Sequence, residues 1–156
     1  AGPADAPPSG TPSGQADGAP EFPEDLRYLV EHQTWARFDQ DGRVTVGITA
    51  LGILQSGEIY MGRPKPPGTV VERGRAVAVV ELAKAIASVR SPVSGTVVET
   101  NPRLVATPEI VHLSPYDEGW IVRLQIDDPE AQQAALASPE EARQAMAAED
   151  SQEPRQ

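Results

Sequence analysis

The sequence predicts a mainly β fold with short helices. Three observations carry that reading. Arg43-Val44-Thr45-Val46-Gly47-Ile48 alternates with the period of two that a half-buried strand requires. Residues 69–99 divide into two similar valine-rich halves about Lys84, with Gly74 ten residues before it and Gly95 eleven after. Two helix-start signals, Asp128-Pro129 and Ser138-Pro139-Glu140-Glu141, fall near the C-terminus, the second a full capping box.

Residues 1–21 are almost entirely Ala, Gly, Pro, Ser, Thr and acidic residues. Such a segment cannot bury enough apolar surface to offset its ordering entropy, so a disordered arm is expected. One domain is expected over 22–148, and the acidic tail 149–156 is expected to fray. Leu26 to Val30 and Trp35 to Phe38 are strand material. Asp39-Gln40-Asp41-Gly42 is turn chemistry, and the strand Arg43 to Ile48 completes a hairpin. Thr49 suits the N-cap of a short helix to Leu54, ended by Ser56-Gly57. Glu58 to Met61 reads as the next strand. Arg63 to Gly68 reads as a loop, because its three prolines cannot donate to a ladder. Thr69 to Glu72, Arg75 to Glu81, Ile86 to Arg90 and Gly95 to Glu99 read as strands, with Leu82-Ala83-Lys84-Ala85 at a hairpin tip. Thr107-Pro108-Glu109-Ile110 suits one helical turn, Trp120 to Ile126 a strand, and 129–137 and 139–148 two helices.

The formal charge is −10 over 156 residues, which is room for one domain plus tails. An acidic surface does not neutralise phosphates and does not adhere to anionic membranes, so no nucleic-acid or membrane partner is expected. The chain has no cysteine, which excludes disulfides and thiolate metal sites. His32 and His112 lie far apart without ligand spacing, and each reads as a satisfied or solvated side chain. No apolar run spans a bilayer and no signal-peptide pattern is visible, so a cytoplasmic location is expected. No Ser/His/Asp arrangement, phosphate loop or metal cluster stands out, and the chain is expected not to be an enzyme. Asp117, Glu118 and the carboxylates of the C-terminal helices read as a solvated face that steers basic partners.

Lys84 is the residue that invites chemistry. Only Lys65 and Lys84 are lysines, against eleven arginines. An exposed amine is a nucleophile that a ligase acylates, whereas a guanidinium stays charged and delocalised. Most exposed lysines are merely solvated charges, but few stand at the centre of a two-fold-like repeat.

Val80-Glu81-Leu82-Ala83-Lys84-Ala85 and Ser91-Pro92-Val93-Ser94-Gly95-Thr96 together resemble the lipoylation hairpin of the glycine cleavage system H proteins. Thr45 to Thr49 upstream and Ser114 to Trp120 downstream match that family in the same order. The resemblance covers roughly residues 26–148. It implies a barrel-sandwich hybrid with C-terminal helices, and lipoate in amide linkage to Lys84. Biotin carriers usually show methionine on both sides of their lysine, and here Ala83 and Ala85 stand there. An oxo-acid dehydrogenase lipoyl domain would lack the Gly119-Trp120 strand and the C-terminal helices.

Two positions depart from the H-protein pattern. Thr34 stands before Trp35 where a glutamate is typical, in a segment one residue longer, and Ser88 stands where an aspartate often follows the lipoyl lysine. Carboxylates there suit a protonated aminomethyl cargo. In these positions, and in Thr34 to Arg37, Val46 to Leu51 and Ser56 to Ile59, the chain resembles the lipoate-binding proteins that serve the heterodisulfide-reductase-like complex of sulfur oxidation. That resemblance implies a carrier of a sulfur intermediate. The alternative is the glycine cleavage carrier, served by glycine decarboxylase and aminomethyltransferase. Either carrier also implies a lipoate ligase or lipoyl transferase and dihydrolipoamide dehydrogenase. An unmodified acidic scaffold is the third reading. His32 is expected near the arm, without an assigned role.

Overall fold

The computed structural model describes residues 22–152, so the expected disordered arm and residues 153–156 lie outside the described residues. The strands are β1 (Arg27–Leu29), β2 (Thr34–Phe38), β3 (Arg43–Ile48), β4 (Met61–Pro64), β5 (Val70–Val71), β6 (Ala76–Glu81), β7 (Ile86–Arg90), β8 (Gly95–Thr100) and β9 (Val122–Gln125). The helices are α1 (Ala50–Ser56), α2 (Arg103–Ala106), α3 (Ile110–Leu113), α4 (Pro129–Ala134) and α5 (Pro139–Gln152). Six strands form one antiparallel sheet in the order β1-β2-β3-β9-β8-β5, and β4-β6-β7 form a second. The expected mainly β architecture, with helices closing its C-terminal end, is what the chain adopts.

The main core draws on both sheets, with Val46, Val77, Val97, Ile121 and Leu124 almost fully buried. Branched aliphatic side chains fill it, as the scarcity of aromatics requires. β3 is more buried than its alternation predicts: Val44, Thr45 and Val46 are all inaccessible. It lies between β2 and β9, so both its edges are paired, and the Asp39 and Arg123 side chains lie against Thr45 on the face that alternation leaves open. Thr45 is accommodated because its hydroxyl donates to Asp39 Oδ2 at 2.9 Å and accepts from Arg123 Nε at 3.1 Å.

A second cluster gathers Phe22, Leu26, Tyr28, Trp35 and Ala142 beneath α5. Tyr28 exchanges backbone hydrogen bonds with Ala137, both at 2.9 Å, and its hydroxyl donates to the Pro23 carbonyl at 2.8 Å. Burial, reinforced by Tyr116 nearby, pushes the Tyr28 hydroxyl above its ordinary range, so it stays a donor. Trp35 is fully buried, and its ring lies against Gly47, where a Cβ would enter the indole.

Several boundaries differ from the sequence-based expectation, each for a physical reason. Glu58 to Tyr60 is not strand; β4 begins at Met61 and includes Pro64. The proline is tolerated because β4 is an edge strand. The helical turn expected at Thr107 to Ile110 is replaced by two, α2 and α3, with Thr107 ending the first rather than capping the second. β9 is shorter than Trp120 to Ile126, running from Val122 to Gln125, with Ile121 and Ile126 held at its two ends by hydrogen bonds to the Val46 and Gly42 carbonyls. α4 stops at Ala134, three residues before the expected 137, and Ala137 pairs with Tyr28 instead. The capping box forms as expected: Ser138 N–H donates to Glu141 Oε1 at 2.9 Å, and Glu141 N–H to Ser138 Oγ at 3.1 Å. α5 continues past 148 to Gln152.

Gly47→Ala should cost at least about 2 kcal/mol, because the added methyl displaces a ring that is closed in on all sides. Urea denaturation measures this. A midpoint within error of the wild type would show that Trp35 is not seated on Gly47.

Candidate functional site

The β6–β7 hairpin positions Lys84. Val80 pairs with Ala87 and Glu81 with Ile86, and the Leu82 N–H donates to the Ala85 carbonyl at 2.9 Å to close the turn. Ala83, Lys84 and Ala85 are all exposed. Lys84 thus stands at the hairpin tip, where the near-symmetry of the sequence puts it. The carboxylate of Glu81, three residues before, is held by Arg63. Lys65 lies at the other end of this sheet, just past β4, with its N–H bonded to the Val77 carbonyl at 2.9 Å.

A groove runs from the hairpin toward α1. Val80, Leu82 and Ala87 form one wall, Ile48 and Ile59 supply further apolar surface, and Gly52, Gln55 and Ser56 of α1 form the other wall. Leu82 brings the groove to within two residues of Lys84. Its polar end is the segment Glu31 to Thr34, and Ser88 also lines it. Glu31 is the one carboxylate in that lining.

Local sequence explains this shape. Thr49 caps α1 as predicted, accepting the Gly52 N–H at 3.0 Å. Gly52 permits close approach: a Cβ there would lie 2.9 Å from both Gln33 Cβ and Ile48 Cγ2. A 3-10 turn over Val30–His32 and a left-handed Gln33 (φ 57°) shape the chain just before Trp35. Gln33 accepts from the Thr49 hydroxyl and donates to the Val30 carbonyl at 2.9 Å and to Met146 Sδ at 3.6 Å. Trp35 Nε1 donates to the Pro115 carbonyl at 3.0 Å, and the next residue's hydroxyl, on Tyr116, accepts the Ala50 N–H at 2.8 Å. The first turn of α1 is therefore tied to the Trp35 seat.

Thr34 is the odd member of the lining. It is 1% exposed, and among the described residues its hydroxyl has no hydrogen-bond partner. A buried hydroxyl without a partner costs stability.

His32 lines the groove. His112 does not; its Nε2 accepts the Ile59 N–H at 3.0 Å, the satisfied role expected of it. Asp117 and Glu118 are exposed, and Glu118 pairs with Arg103 at 3.3 Å. Among the described residues, no three His, Cys, Asp or Glu gather as a metal site, and no helix is long and apolar enough to cross a membrane. Gln33, Gln55 and Ser56 were not foreseen in the groove. A left-handed glutamine leaves no sequence signal, and α1 shows its facing side only after it packs.

An exposed amine beside an apolar trough fits a long acyl arm. The amine takes the amide bond, and the trough covers hydrocarbon. Fold and site together define a carrier domain for a lysine-linked prosthetic arm. The chain belongs to the glycine cleavage H-protein family, whose pattern it matches over residues 26–149. Members are non-catalytic carriers with lipoate attached covalently to a lysine, and they work with lipoyl-attachment and glycine cleavage enzymes. The chain is 40% identical over 125 residues to glycine cleavage system H protein 2 of Aquifex aeolicus, covering 80% of this chain and 78% of that one. It is 47% identical over 112 residues to the glycine cleavage system H protein of Xanthomonas euvesicatoria pv. vesicatoria, covering 70% and 83%. The crystal structure of a glycine cleavage system H protein from Mycobacterium marinum superposes with a TM-score of 0.66 at 26% identity, covering 78% of this chain and 95% of that one.

Thr34→Val should stabilise the unmodified chain by about 1 kcal/mol, since it removes a buried hydroxyl that has no partner while keeping the branched shape. Equilibrium unfolding in urea reads this out. A lower midpoint would mean the hydroxyl is already satisfied.

Proposed function

We propose that this chain carries an aminomethyl group for the glycine cleavage system, on a lipoyl arm in amide linkage to Lys84. The observation that carries the reading is Lys84 itself: an exposed amine on a closed hairpin tip, beside an apolar groove. The names of relatives at 40 to 47% identity support glycine cleavage over the other cargoes. Glu31 supports it too, because a carboxylate in the groove lining suits a protonated amine. The proposed partners are a lipoate ligase or lipoyl transferase, glycine decarboxylase, aminomethyltransferase and dihydrolipoamide dehydrogenase. The proposed compartment is the cytoplasm, where dithiols stay reduced.

One observation favours a second reading, a sulfur intermediate carried for a heterodisulfide-reductase-like complex. Thr34 and Ser88 border the groove without adding a carboxylate, so only Glu31 there bears negative charge. Neutral groups suit a cargo that is not a cationic amine. The chain has no thiol, so every thiol step in that reading belongs to the arm or to a partner.

Intact mass after co-expression with a lipoate ligase tests attachment. Wild type and Lys65→Arg should gain the lipoyl increment, and Lys84→Arg should not. An unmodified wild type would leave only the acidic scaffold. Reconstitution with glycine decarboxylase then separates the cargoes: efficient aminomethyl loading supports glycine cleavage, and its absence beside arm turnover by the heterodisulfide-reductase-like complex supports sulfur transfer.

A further inference from the structure

Charge is not spread evenly along this chain. Residues 61–95 hold six basic residues, Arg63, Lys65, Arg73, Arg75, Lys84 and Arg90, against two carboxylates, Glu72 and Glu81. The rest of the chain holds seven basic residues against twenty-one carboxylates. The segment that presents Lys84 is thus a cationic island on an anionic protein.

The sheet concentrates that charge on one face. Strand pairing sets Arg63, Val79 and Ser88 in one row, and Gly62, Val80 and Ala87 in the next, on the opposite face. The second row turns inward to the core and groove, so the first row faces out. Beyond it, Lys65, Arg75 and Arg90 line one shallow depression, with Glu72 the one acidic member. Arg63 is committed to Glu81, and Arg90 donates to the Gly74 carbonyl at 3.0 Å. Lys65 and Arg75 are exposed and make no side-chain hydrogen bond or ion pair among the described residues. They are solvated charges just beyond the end of β4 and just before the start of β6, with no internal use.

We propose that this outer face of the β4-β6-β7 sheet docks an acidic surface on the enzyme that loads the arm, an inference that rests on Lys84 as the attachment site. The depression lies at the opposite end of the sheet from Lys84, so a partner must span the outer face, roughly 20 Å along β6 at about 3.3 Å per residue, to meet the arm. A small anion is a poorer occupant, because the depression is shallow and its free cations point to solvent. A nucleic acid is repelled by the carboxylates around the island, whose field reaches roughly a Debye length of 8 Å. A local acidic patch on a folded protein meets the island and avoids the rest. Such complementarity acts mainly on encounter and register.

The test uses the full-length chain, lipoylated in expression and checked by intact mass, presented to glycine decarboxylase and separately to the heterodisulfide-reductase-like complex. The enzyme that loads the wild type is carried forward. For Lys65→Glu combined with Arg75→Glu, the KM for the carrier should rise about ten-fold or more at low salt, with kcat within about two-fold. The wild-type KM should climb with sodium chloride, and the variant's should not. Arg43→Glu, on the exposed end of β3 in the other sheet, is the control and should match the wild type. An unchanged or lowered KM in the double variant, or an equal effect of Arg43→Glu, overturns the docking proposal. If neither enzyme loads the wild type, the carrier reading fails, and the docking proposal falls with it.

Discussion

The seat of Trp35 is the contact on which the rest of the site depends. Its ring lies against the bare backbone of Gly47, and its Nε1 holds the Pro115 carbonyl. From there the chain of dependence is short. Tyr116 follows Pro115 and receives the first N–H of α1, and α1 is one wall of the groove. A buried aromatic on β2 is therefore linked to one wall of the groove. The second core cluster, with Tyr28 and Ala142 around the same ring, fastens the C-terminal helix to this point. No residue of this linkage touches Lys84; it shapes the space the arm enters.

Much of the fold was legible because its signals are local. The alternation of Arg43 to Ile48, the Thr49 cap and the Ser138–Glu141 box each act within a few residues and appear as read. The hairpin around Lys84 was legible for another reason, the matching halves on either side. Signals failed where distant partners decide. Pro64 argues against a strand until β4 is seen to be an edge. The alternation of β3 promises a solvated face, but Arg123, far away in sequence, covers it. Ordered motifs pointed to the family and to Lys84, the proposed attachment residue. The groove was not legible, since its lining comes from four separate stretches of chain. The departure at Thr34 could be seen in sequence, but the isolation of its hydroxyl needs three dimensions.

Carrier proteins must satisfy two opposed demands at one lysine. The attachment point must be rigid enough for a modifying enzyme to recognise and open enough for several enzymes to share. At Lys84, the proposed attachment point, the paired strands and the closed turn at Leu82–Ala85 meet the first demand, and the small flanking alanines meet the second. An apolar arm laid in the groove would be sheltered from water, gaining about 0.8 kcal/mol per methylene covered, and a partner would have to compete with that shelter.

Gln33 shows what such a shelter costs. Its left-handed backbone is unfavourable for an L side chain by roughly 1–2 kcal/mol, which a glycine would relieve. A glycine would also cut the links to Thr49 and Met146 that hold the polar end of the groove in place. Selection for a tougher protein and selection for a preformed groove therefore pull this one position in opposite directions. A glutamine retained in that conformation would record which pressure prevailed.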